Sequence, residues 1–160
     1  MPAYAPDAGG VVEHEFDEDW PDIFPQGLII ARSTVSPAPR TNGPDLEEGE
    51  QYVSLSLHVQ YREEAPHLAF SGDVVVDSNE GFAAVTVLMP FLLRGEPEDP
   101  PASFGETVLE RFGPWAAPLV YDHGAMALRS MLAGVALDLD VPTELPPIEL
   151  HPPKERRAKR

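Results

Sequence analysis

Hydrophobic and polar residues alternate most clearly between positions 53 and 62. There Val53, Leu55, Leu57, Val59 and Tyr61 are interleaved with Ser54, Ser56, His58, Gln60 and Arg62. Successive side chains of a strand point to opposite faces, so this spacing predicts an antiparallel strand with one face buried and one wet. Three neighbouring segments read the same way. Leu28, Ile29, Ile30, Thr34 and Val35 predict an earlier strand, at an edge, stopped by Pro37 and Pro39. Leu68, Phe70, Val74 and Val76 predict a third, with Gly72 at a bulge or a close contact. The fourth runs from Phe82 to Leu93 and puts Val85, Val87, Met89, Phe91 and Leu93 on one face. Pro90 has no N–H for a ladder, which places this strand at an edge or bends it there.

Beyond the proline-rich link at 97–101 the apolar spacing lengthens to between three and four. Ser103 and Glu106 read as a capping box, Phe104, Val108, Leu109 and Phe112 share a face, and Gly113-Pro114 reads as a helix stop. A second helix opens at Pro118, with Tyr121, Ala125, Leu128, Leu132 and Val135 as its apolar stripe. Gly124 and Gly134 weaken it by about 1 kcal/mol each relative to Ala, while allowing close packing. Leu137, Leu139 and Val141 alternate with Asp138 and Asp140 in an extended exit, and the PTELPPIELHPP stretch is stiff and laid over the surface. The expected fold is α+β: a four-stranded antiparallel sheet followed by two C-terminal helices packed on one face. Residues 27–150 form its single domain. Residues 1–26 are an acidic segment, disordered or loosely docked through Trp20, Ile23 and Phe24, and residues 151–160 are a basic tail.

Composition narrows the chemistry. The chain of 160 residues suits one domain, and its 19 prolines and 12 glycines place much of it in loops. The absence of cysteine removes disulfides, thiolate metal sites and thiol nucleophiles. Net charge is −16, and five of the 11 basic residues fall in the last seven positions, so the body is more acidic than the total. Such a field repels nucleic-acid phosphate and anionic lipid, and no nucleic-acid partner is expected. The sequence holds no basic region followed by an apolar stretch at its start and no apolar run of roughly 18 residues. No membrane insertion is expected, and the expected location is the cytoplasm.

Candidate chemical residues do not converge. The five histidines are scattered, and none has a second at i+3 or i+4. Asp122, His123 and Ser130 lack the Gly-x-Ser-x-Gly elbow of a triad, and Asp122 reads instead as a first-turn acid on the second helix. Asp138 and Asp140 share one side of an extended segment but too few oxygens surround them for calcium. There is no GxxxxGK[ST] or GxGxxG. No catalytic residue, metal or cofactor is expected. The apolar residues set against the main pattern, Ile29, Val75 and Ala84, predict that the sheet's second face packs on another copy or stays partly open for binding.

The stretch from Phe112 to Leu150 resembles the end of the SecB-like export chaperones. The matching pieces are Pro118, Leu119 and Tyr121 entering a long helix, then Arg129-Ser130-Met131, then Leu137, Leu139 and Pro142 in an extended exit. The resemblance implies an ATP-independent holdase, a homo-oligomer (dimer or tetramer), whose partners are unfolded client polypeptides bound along apolar grooves. The groove residues are then Phe82, Met89, Phe91, Tyr121 and Met126, because Met and aromatic side chains adapt to varied clients. The alternative is a structural or assembly protein, such as a phage particle component, using the sheet and tails for subunit contacts.

Overall fold

The strand expected around Leu55 is β3 (Gln51–Arg62) in the computed structural model, which describes residues 22–62, 67–94 and 104–151. It pairs antiparallel with β4 (His67–Ser78), and β4 pairs antiparallel with β5 (Phe82–Arg94). Along the other edge of β5 lie β1 (Asp22–Pro25) and β2 (Ile29–Ser36), one after the other. The last strand, β6 (Ile148–His151), joins the free edge of β3 in parallel. A single helix, α1 (Phe104–Leu132), covers one face. The architecture of the described residues is therefore a six-stranded mixed sheet with one helix, which corrects the expected four-stranded antiparallel sheet and two helices.

The prolines explain the single helix. Pro114 and Pro118 remove the donors that the carbonyls of Glu110 and Pro114 would accept, but Glu110, Pro114 and Pro118 all lie on the exposed side of α1. The freed carbonyls are on the side open to solvent, where water can satisfy them. The residue before a proline resists helical geometry because its Cβ meets the ring; Gly113 has no Cβ, and Ala117 has nothing beyond it. Asp122 thus sits mid-helix and not in a first turn. Gly134 and Val135 fall after the helix end, where backbone bonds from Gly134 to Met131 and from Val135 to Leu132 close a turn. The two extra strands are four residues each: Ile148 and Leu150 alternate with Glu149 and His151 inside a proline-rich stretch, and β1 closes an acidic one.

Pro90 lies inside the sheet, opposite Ala69. Its carbonyl accepts from the Gln26 N–H at 2.8 Å, so its ring nitrogen faces the same side, the break between β1 and β2. No ladder donor is required there. Gly27, at a φ of 128°, makes that break.

The core lies between α1 and the odd-numbered side chains of β3 and β5 with the even-numbered ones of β4. Leu55, Leu57, Phe70, Val74, Val85, Val87 and Met89 meet Phe104, Val108, Ala116, Val120, Tyr121 and Leu128. The helix approaches closely because two glycines permit it. A Cβ on Gly72 would stand 2.2 Å from Cγ1 of Val120, and one on Gly124 would stand 2.7 Å from Cγ2 of Val74. Phe70 and Phe91 pack edge to face at 5.0 Å, and Tyr61 tilts on Phe104 at 4.9 Å.

Two polar anchors fix the connections. Arg40 grips the buried carboxylate of Asp77 with both Nε, at 2.6 Å, and Nη2, holding the 37–50 loop to the sheet. The hydrogen bond to Asp77 raises the Arg40 pKa, against the effect of burial. At the helix exit, the Tyr121 hydroxyl donates to the Pro142 carbonyl at 2.7 Å, and Arg129 donates to the carbonyls of Val141 and Pro142 at 3.0 Å. The segment 141–142 is thereby clamped, with Leu139 and Val141 buried beside it. Residues 1–21, the 63–66 and 95–103 connections with Ser103, and the tail at 152–160 lie outside the described residues.

Candidate functional site

The helix covers only one face; the even-numbered side chains of β3 and β5 and the odd-numbered ones of β4 form the other, which no described helix or strand covers, although the 37–50 loop is held to its Asp77 end by Arg40. Its middle is polar. Ser56, His58, Asp73 and Thr86 lie there, with Thr86 donating to Asp73 at 2.5 Å and the His58 imidazole 3.7 Å from the Asp73 carboxylate. At the β6 end, the His151 ring stacks on His58 at 4.5 Å and 11° between planes, while Glu149 lies 3.4 Å from the Ser56 hydroxyl.

One corner of the same face is apolar. The pairings Phe24 with Leu92 and Ile29 with Leu88 bring these four side chains around Pro90. Phe24 and Leu92 are each 42% exposed and Ile29 is 53% exposed. Phe24 and Ile29 are held by backbone pairing to β5, which carries Leu88 and Leu92, so the patch is preformed. A second apolar row runs along the outside of α1, where Trp115, Leu119 and Met126 stand at helical spacing and Met126 is 65% exposed. In a chain of net charge −16, these are the surfaces with least reason to face water.

The five residues expected to line a groove are not brought together. Met89 and Phe91 are buried in the core from β5, and Tyr121 is buried in it from the helix, with its hydroxyl on Pro142. Phe82 is half-buried on the uncovered face, at the opposite end of β5 from the apolar corner, and Met126 lies on the outer side of α1. The sequence signals that single out the observed surfaces are different ones. Leu88 and Leu92 occupy the polar phase of β5, and Trp115, Leu119 and Met126 form a stripe that emerges only once the helix is continuous through both prolines.

The protein resembles nothing found by comparison. No family model matches the chain, and neither a curated protein nor a solved structure does. Among the described residues no three His, Asp or Glu side chains are placed to hold a metal ion. A shallow hollow beneath the helix exit is lined by Arg129, Leu137, Asp138 and Asp140, but the Arg129 donors are engaged by the Val141 and Pro142 carbonyls. Burial raises the Tyr121 pKa, with the Arg129 charge opposing and Asp122 and Asp140 adding to the rise. Its phenol is thereby kept as a hydrogen-bond donor. No described helix is long and apolar enough to cross a membrane.

Proposed function

We propose that the protein binds unfolded client polypeptides without nucleotide, as a holdase of the SecB-like kind, and does not catalyse a reaction. The observation that supports this reading is the apolar corner in which Phe24, Ile29 and Leu92 are exposed around half-buried Leu88, on a preformed sheet in a strongly acidic protein. An apolar surface of this kind takes extended, apolar chain segments through many weak contacts, and its acidic surroundings keep the loaded complex dispersed. Trp115, Leu119 and Met126 on the helix provide a second surface, used by a further client segment or by another copy in a dimer or tetramer. The outer edge of β2 has the same capacity for self-association, since β2 pairs only with β5 among the described residues.

The test is aggregation of an unrelated, chemically unfolded client followed by light scattering, with no nucleotide present. Suppression at about equimolar protein is expected, and a double Ile29→Asp, Leu92→Asp variant should lose most of it. Undiminished aggregation at a several-fold excess of the wild-type protein rejects the reading.

A further inference from the structure

Beta-strand 6 occupies its seat in the way that a bound peptide would. It is four residues long and pairs in parallel, from Leu55 opposite Ile148 to His58 opposite His151, against a strand of 12 residues. Parallel pairing is slightly the weaker kind per residue. Ile148 is only half-buried and Leu150 is exposed. On the helix side, the space at Gly113 receives Leu150: a Cβ there would lie 3.5 Å from Cδ2 of Leu150 and 3.7 Å from Cδ2 of Leu57. On the other side the contacts are those of Glu149 with Ser56 and of His151 with His58, both near water, where such contacts contribute little.

What holds β6 near its seat is separate from the seat itself. Tyr121 and Arg129 fix the backbone through Pro142, and residues 143–147 between that clamp and β6 are mostly exposed. Release of β6 would give up the packing of Ile148 and Leu150 but not the bonds of the clamp at Pro142, which makes it a local opening.

We propose that the edge of β3 is a strand-exchange site, at which an extended client segment with apolar residues two apart replaces β6 beside Leu55–His58 and extends the sheet in parallel. The proposal rests on the polypeptide-binding reading and names where the backbone of the client pairs. The occupant follows from β6 itself: main-chain bonds supply affinity whatever the sequence, a notch of leucine size at Gly113 takes one apolar side chain, and Leu55 takes the other. Ser56 and His58 leave the alternate client side chains facing water.

The chain has no cysteine, so Ser56→Cys with Glu149→Cys, directly opposed in the register, makes one disulfide that locks β6 in place. The probe is a fluorescein-labelled peptide of residues 143–151 (TELPPIELH), followed by anisotropy with the full chain. The reduced protein should bind it as a complex of one chain and one peptide, and the oxidised protein at least about tenfold more weakly. Equal binding by both forms, or no binding by the reduced form, overturns the proposal. A dimer of reduced chains that oxidation abolishes also overturns it, by assigning the seat to a second copy. If the locked protein still suppresses client aggregation in full, the exchange site is wrong and the polypeptide-binding reading stands. If neither form suppresses it, both fall.

Discussion

Tyr121 shows how single residues join the fold's two halves. Its ring is buried beneath the sheet and its hydroxyl donates to Pro142, fixing the exit segment beside Arg129. Burial disfavours the phenolate, so the folded pKa lies above the ordinary value of the unfolded chain. The folded state then holds this proton longer. Its stabilising effect is complete below the unfolded pKa of about 10 and is lost as pH rises through the folded value. Denaturant unfolding at stepped alkaline pH should show that decline, and Tyr121→Phe should remove its share of it while costing about 1 kcal/mol at neutral pH. An unchanged alkaline profile in the variant would contradict this role. The stripe containing Tyr121 was legible in the sequence from its spacing, but its exclusion from any groove was not, because periodicity marks a face without saying how tightly that face is covered. Gly72 and Gly124 decide the tightness, and only the crossing of α1 over β3 to β5 reveals why both are glycine.

At the scale of elements, the long strands were legible because period-two alternation sustained over ten or more residues has few alternative readings. The short ones were not: β1 and β6 are four residues each, and local proline and acidic composition outweighed their signal. The helix was misdivided for a physical reason too. Gly113-Pro114 is a stop signal in most contexts, yet prolines on the exposed side, one preceded by a glycine and the other by nothing larger than alanine, remain compatible with continuous helix. Pro118→Ala should therefore restore a donor at an exposed interior position and raise stability by about 1 to 2 kcal/mol, after allowing for the freer unfolded chain. The midpoint of denaturant unfolding measures this. A loss of stability would instead mean that the chain needs its turn at Pro118.

Across the molecule, one helix against six strands among the described residues leaves most of one sheet side without a helix or strand over it. The sequence pointed to that asymmetry through Ile29, which breaks the polar phase, whereas Val75, marked in the same way, is buried on the uncovered side. The functional consequence depends on the corner where β1, β2 and β5 meet, and this needed the register, since Phe24 and Ile29 belong to strands separated by a glycine break. On the proposed reading charge sets the second requirement, because in a protein of net charge −16 repulsion would limit clumping through an exposed apolar corner that engages other chains. The most direct measurement is an NMR titration of the full chain with a permanently unfolded polypeptide, read as amide shift changes. The account expects saturable changes at Phe24, Ile29, Leu88 and Leu92, with the buried amides of β4 little affected. No change at any ratio, or changes that bypass this corner altogether, would contradict it.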